Sequence, residues 1–295
     1  LAAEEASPLR AANGIWVAER PGLRVSDAFL QLNRESYGAG VARCPFDEEA
    51  LRSINDFVSR NTDGMIDRIL DRLDPDGAMV LVNALSFEAS WARPYRSNEV
   101  SPGEFRTETG EEQETSFLHS EERLWLEDAD TTGFLKPYEG GRYAFAALLP
   151  AEGLPMEDYL ASLTGEKLRD LLQGAKNAQV FAAIPKFQAD CSFELAPALQ
   201  ALGMADVFDP ARADLGDLGS CDGENLYVGQ VAHKTFLQLD ENGTRAGAAT
   251  GVAVMESSMR LEEPKRIVLD RPFVYLLVDL ETCLPLFVGT LDRVE

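Results

Sequence analysis

The sequence predicts a single α+β domain, with helices mainly early and sheet dominating late. Three observations point there. Between residues 26 and 60 apolar side chains recur at spacings of three and four, as one buried helix face requires. From Leu226 onward the chain is rich in Val, Leu, Phe and Tyr in runs broken by turn residues, the pattern of successive strands. No internal repeat, low-complexity tract or linker-like break divides these two regions.

Taken in order, Asn13–Ala18 is a short apolar run of β-formers. After the turn at Pro21-Gly22, Ser26 caps a helix whose stripe is Phe29, Leu30, Leu32 and Tyr37 and whose stop is Gly38. Residues 48–60 repeat the helical pattern with Leu51, Ile54, Phe57 and Val58. Met79–Trp91 begins as a continuous apolar run, which a strand covered on both faces needs. The stretch from Pro94 to Asp130 is polar and acidic, with only short β-like pieces. Tyr143–Pro150 reads as a buried strand, Met156–Leu172 as one or two helices, and Val180–Phe187 as a strand with Pro185 near its end. Leu195–Leu202 is a short helix closed by Gly203. Leu226–Leu239, Ile267–Leu269, Phe273–Leu280 and Leu284–Leu291 complete the set as strands.

Composition removes several functions. The 295 residues include 50 acidic against 27 basic side chains, a formal charge of −23. Nucleic acids and anionic membranes both need Lys/Arg-rich patches to replace counterions, so neither is an expected partner. No run of 18 apolar residues is present, so no membrane span is expected. The opening Leu1–Glu5 lacks the basic and apolar regions of a signal peptide. Cys44, Cys191, Cys221 and Cys283 are far apart and without paired spacing, which argues against a zinc site, a redox motif or a disulfide framework. The two histidines have no partner motif, and there is no G-x-S-x-G or P-loop. Hence no catalytic residue, metal or cofactor is expected, and the chain is not read as an enzyme.

Residues 243–258 break the rules for a connection. They lie between strong strands yet carry almost nothing bulky and little of the Pro, Asn and Asp that punctuate loops. A flexible Gly/Ala linker, or a hairpin started by Asn242-Gly243, is one reading. A period of two gives another. One face then carries Thr244, Ala246, Ala248, Thr250, Val252 and Val254, all uncharged, and Arg245 falls on the other. Such a segment suits both an exposed loop and a strand over an apolar core. As a strand, residues 244–257 would span about 46 Å, at about 3.3 Å per residue.

At these residues the chain resembles the serpin family, and the likeness runs from Ala12 to the C-terminus. Asn13-Gly14-Ile15-Trp16 is similar to the family's first retained strand. Ile54-Asn55 with Val58, Asn61, Thr62, Gly64 and Ile66 matches its helix-to-loop motif, and Leu81–Leu85 through Phe87 and Trp91 its central strand. Pro137–Gly141, Ile184–Phe187, Leu202–Met204, Val207–Asp209, His233–Phe236, Glu241–Thr244, Arg271–Phe273 and Phe287–Gly289 follow in the family's order. The resemblance implies a serpin-like α+β domain over residues 1–295, with a large, mostly antiparallel central sheet, further sheets, and an exposed reactive-centre loop over about 243–264. It implies a suicide substrate: a serine protease attacks the loop, forms an acyl-enzyme, and is trapped when the cleaved loop inserts into the sheet. Gly243, Thr244, Ala246, Gly247, Ala248, Ala249 and Thr250 are then the hinge, and Ser257–Ser258 the reactive bond, with Arg260–Leu261 the alternative. Small residues at that bond suit elastase-like enzymes, and the neighbouring Met255 and Met259 offer sites for chymotrypsin-like or subtilisin-like ones. Asn83 and His233 match the buried polar pair beneath the parting strands, the shutter, and Trp91 the aromatic at the top of the sheet, the breach.

The resemblance further implies a covalent complex with the target protease, a monomer able to polymerise by loop insertion, and an extracellular or cell-surface setting. Three departures stand out. The N-terminus begins where the family already has its first helices, so a truncation is expected; Arg245 replaces a common acidic residue; and the segment between Gly243 and Pro272 is a few residues long for the family. A non-inhibitory serpin acting as a binding or carrier protein is the alternative. Its members usually put bulky, charged or Pro residues in the hinge, whereas Thr244–Ala249 holds only Arg245.

Overall fold

The computed structural model describes residues 7–223, 225–229, 231–244 and 263–294. The hinge candidates Ala246, Gly247, Ala248, Ala249 and Thr250, and both reactive-bond candidates, Ser257–Ser258 and Arg260–Leu261, lie outside the described residues.

The first strands are β1 (Leu9–Ala18) and β2 (Leu23–Val25), followed by α1 (Asp27–Tyr37), β3 (Gly40–Cys44) and α2 (Glu48–Asn61). Next come β4 (Met79–Phe87), β5 (Ala89–Ser90), β6 (Val100–Arg106), β7 (Glu112–Glu127), β8 (Thr131–Pro137) and β9 (Tyr143–Pro150). Helices α3 (Met156–Ser162) and α4 (Gly165–Gln173) precede β10 (Lys176–Pro185), β11 (Phe187–Glu194) and α5 (Ala196–Ala201). The chain closes with β12 (Gly219–Cys221), β13 (Ala232–Leu239), β14 (Gly243–Thr244), β15 (Lys265–Val268), β16 (Phe273–Asp279) and β17 (Leu284–Leu291). The class is α+β, as the patterning predicts. Among the described residues no helix is long and apolar enough to cross a membrane.

The chain divides into two compact units, residues 1–87 with 189–237, and residues 88–188 with 238–295. In the first unit β1 lies between β3, which it pairs in parallel, and β4, which it pairs antiparallel. β4 in turn pairs β13 in parallel, Ala232 to Val82 through Phe236 to Ser86, and β11 also pairs β13. One face of this sheet packs Ala12, Trp16, Val82 and Ala84 against Ile54 and Val58 of α2. Those two lie four residues apart and so on one helix face. The other face brings Ile15 and Val17 against Leu30 of α1. Helix α1 carries the caps read from its sequence, and α2 is capped by Asp47, which the sequence reading did not single out. The Ser26 hydroxyl accepts from the Phe29 N–H, the Asp47 carboxylate accepts from the Glu49 and Ala50 N–H groups, and Gly38 ends α1 at φ 60°, a left-handed conformation that side chains with a Cβ resist.

The second unit holds a sheet in the order β15-β10-β7-β8-β9-β16-β17, with β6 also on β7. Every residue of β9 and β16 is buried, which explains their unbroken apolar sequences. Tyr159 of α3 and Leu171 and Leu172 of α4 close one face over Leu126, Leu148 and Leu276.

Four elements differ from the sequence reading. Between Pro94 and Asp130 the acidic stretch is no set of short pieces, because β7 runs for 16 residues. Its acidic side chains are mostly exposed, but Phe117, Leu118, Trp125, Leu126 and Glu122 are buried, and since neighbouring residues point to opposite faces, both faces of β7 mix exposed acidic with buried positions. β13 begins at Ala232 and not at Leu226. The Val228 N–H donates to the Val207 carbonyl and the Asn225 amide to the carbonyls of Pro210 and Ala213, which ties this segment to a loop. β11 escapes the sequence pattern because its alternate residues are polar and exposed. In α1 only Leu30 is buried, and Leu32, about 200° around the helix from it, is 57% exposed.

Candidate functional site

In the first unit, Asn83 and His233 face one another across the parallel β4–β13 ladder. The ring Nδ1 lies 3.1 Å from the Asn83 side-chain oxygen. The Asn83 amide nitrogen donates to the Asn13 side-chain oxygen at 2.7 Å, and Asn13 Nδ2 donates to the Tyr37 carbonyl at 3.0 Å. Since Asn83 spends its donor on Asn13, its oxygen must accept, and His233 therefore carries its proton on Nδ1. Four residues from α1, β1, β4 and β13 thus form one directional relay. Asn13 is paired with Asn83 in register, which sequence alone does not reveal.

One expectation needs correcting. The pair is not buried: Asn83 is exposed and His233 half-buried. The reason is local, since α1 covers this face at Ile15 and Val17 but not at Asn83. Even so, burial of the imidazole pushes the His233 pKa down, against the opposing effect of the hydrogen bond that it donates to Asn83. A folded pKa below the unfolded value of about 6.5 means that the unfolded chain binds more protons in the interval between them. The His233 contribution is therefore fully present above about pH 6.5 and is lost as pH falls toward the lowered folded value. His233→Gln, which keeps a donor to Asn83, should have a shallower loss of stability between about pH 7 and pH 5 than the parent, with the two converging in slope above about pH 7. Urea titrations across that range would refute this if the two slopes were identical throughout.

Trp91, Gly243 and Thr244 meet in the second unit. The Trp91 ring is 1% exposed and stacks on Tyr138 with centroids 4.5 Å apart. The Tyr138 hydroxyl is 2.5 Å from that of Thr244, and both residues are fully buried. Burial drives the Tyr138 phenol pKa upward, against the Thr244 hydrogen bond, so it stays neutral. Gly243 pairs with Ser90 and Thr244 with Ala89 on one side, and Thr244 pairs with Leu239 on the other. The first two positions that the resemblance assigns to a hinge are therefore already a strand, held on both edges.

The turn that feeds them is bolted at three consecutive carbonyls. The Trp91 indole N–H donates to the Asp240 carbonyl at 2.9 Å, the Tyr95 N–H to that of Glu241 at 2.9 Å, and the Trp91 N–H to that of Asn242 at 2.8 Å. The Asp240 carboxylate accepts from the Asn242 and Gly243 N–H groups, and Lys186 forms an ion pair with Glu241. Burial alone would raise the Glu241 pKa, but the hydrogen bond from Lys186, the N–H of its own residue and the Lys186 charge outweigh it and hold the carboxylate below its usual range. Tyr138, Lys186 and Glu241 stand in recognisable sequence motifs, yet nothing in the sequence assigns their contacts. Among the described residues no group of three His, Cys, Asp or Glu side chains could hold a metal ion.

The arrangement is the start of a strand, Gly243–Thr244, fixed by the turn before it. The family model described as Serpin (serine protease inhibitor) matches residues 2–293. An uncharacterized serpin-like protein of Thermococcus kodakarensis is 32% identical, over 98% of this chain and 68% of the relative. The human plasma serine protease inhibitor is 30% identical, over 91% of this chain and 65% of the relative. The crystal structure of the thermophilic serpin Tengpin in its native state superposes with a TM-score of 0.91 at 39% identity, covering 99% of this chain and 75% of that one.

Proposed function

Because the chain belongs to the serpin family, we propose that it inhibits a serine protease as a suicide substrate, by inserting its own loop as a new strand. The observation that carries this reading is the pairing at the two ends of β13. β4 and β13 are parallel neighbours, while β14 leaves the end of β13 antiparallel to it. A strand continuing past Thr244 antiparallel to β13 would replace one parallel ladder by two antiparallel ones. Parallel pairing is slightly less stable per residue, so the exchange is favourable in kind as well as in number. The small, uncharged alternate residues from Thr244 to Val254 fit that role.

In this reading the serine hydroxyl of the protease attacks the Ser257 carbonyl, the Ser258 amine departs, and the ester that remains is carried away by insertion before water reaches it. The protein supplies no catalytic group. Small residues at Ser257–Ser258 favour a shallow, elastase-like primary pocket, and Met255 and Met259 give subtilisin-like enzymes neighbouring sites. Arg260 suits a trypsin-like pocket through its carboxylate, but cleavage there lengthens the inserted segment by three residues, about 10 Å, and reverses the parity of its last side chain. Elastase-like enzymes should therefore be trapped, and trypsin-like enzymes should mostly cleave and leave.

The test is incubation with a panel of serine proteases, followed by a search for denaturant-stable complexes and mass spectrometry of the released C-terminal peptide. A complex whose peptide starts at Ser258 is the expected result. A stable complex with a peptide starting at Leu261 would move the reactive bond, and no complex with any protease would favour a binding or carrier role instead.

A further inference from the structure

Strand β8 is apolar along its buried stretch but for one charged position. Lys136 is 2% exposed within it, and a lysine there must lose its hydration unless the fold supplies substitutes. Three are supplied. Its ammonium donates to Glu122 of β7 at 2.9 Å and to the Arg93 carbonyl at 3.4 Å. It also lies 4.3 Å from the Tyr95 ring centroid and 5.2 Å from that of Trp91, within cation–π range of both. Glu122 is itself 7% exposed, so the ion pair is dry and its geometry strict.

The contacts share a direction. Lys136 holds the segment from Trp91 to Tyr95 at three points, two rings and one carbonyl. The N–H groups of those same two aromatic residues hold Asp240, Glu241 and Asn242, the turn that leads into Gly243 and Thr244. We propose that Lys136, with Glu122 as its counter-ion, is a positioning residue for the hinge. It fixes the 91–95 segment so that the turn, and with it the first rung of β14, is set before the loop is cut. Forming the first pairs of a ladder is its costly step, so a preset turn speeds the pairing of every later rung. As a statement about insertion this rests on the inhibitory reading above; as a statement about the turn it does not.

Replacing both charges separates positioning from stability. Lys136→Leu with Glu122→Leu buries no unpaired charge, and such exchanges are often neutral or stabilising. The expected result is an unchanged or higher unfolding temperature, with amide exchange at Trp91 and Tyr95 about tenfold faster and the inhibitor consumed per trapped protease raised several-fold. The rate at which protease first attacks the loop should not change. Lys136→Met with Glu122→Gln provides the same measurement if the first pair does not fold. Exchange at Trp91 and Tyr95 equal to the parent would overturn the proposal, whatever happens to inhibition. Faster exchange in a variant whose parent traps no protease would keep the positioning role and remove the inhibitory one.

Discussion

Cleavage of the chain between residues 250 and 260 is expected to raise its unfolding temperature by roughly 20–40 °C. The gain comes from hydrogen bonds. Residues 244–257 inserted as a strand would form two ladders, and at about 0.5–1.5 kcal/mol net per bond these supply on the order of 10 kcal/mol. For a chain of this size each kcal/mol shifts the transition by roughly 2–4 °C. Part of the entropic cost is already met, because Gly243 and Thr244 are paired in the uncleaved protein. A linker cut at the same place would leave the transition unmoved or lower it. Calorimetry before and after limited proteolysis decides between them, and an unmoved transition after complete cleavage would remove insertion from the account.

The second large effect is expected at Thr244. Its side chain is fully buried, bonded to Tyr138 and set between Leu239 and Ala89, so Thr244→Arg would have to bury a guanidinium among neighbours that carry no carboxylate. That costs several kcal/mol, and the arginine should expel the first rung instead. Loop cleavage would then outrun insertion, and the inhibitor consumed per trapped protease should rise at least about tenfold. Thr244→Val is the informative companion. It keeps the shape and removes only the hydrogen bond to Tyr138, so an effect of about 1–3 kcal/mol and a smaller rise in consumption are expected. If Thr244→Arg traps protease at the parent's stoichiometry, the paired rung has no part in inhibition.

These expectations draw unequally on sequence and structure. The caps at Ser26 and Gly38 are local, because a cap is a contact between residues a few positions apart, and so the sequence displays them. β9 and β16 are legible because a strand covered on both faces must be apolar throughout. β7 is not, since exposed acidic and buried apolar residues are mixed on both of its faces and leave no clean period of two in the sequence. Arg245 and the rest of the hinge, like Ser257–Ser258, are positions the sequence singles out and that remain with the proposal.

By itself, then, the sequence determined the α+β class, the family, and the small-residue segment after Gly243, and it singled out Asn83, His233 and Trp91 through motif order. Tertiary structure alone decided which groups those residues meet. Asn13 joins Asn83 across 70 positions, Tyr138 meets Thr244 across 106, and Trp91 reaches Asp240 across 149. It also decided that Asn83 is exposed, and that the lone lysine of β8 is neutralised by Glu122 and capped by two rings. The physical reason is register. Side-chain periodicity tells each strand which residues share a face, but the partner opposite each one depends on how strands distant in the chain are aligned, and a shift of one residue would exchange every contact.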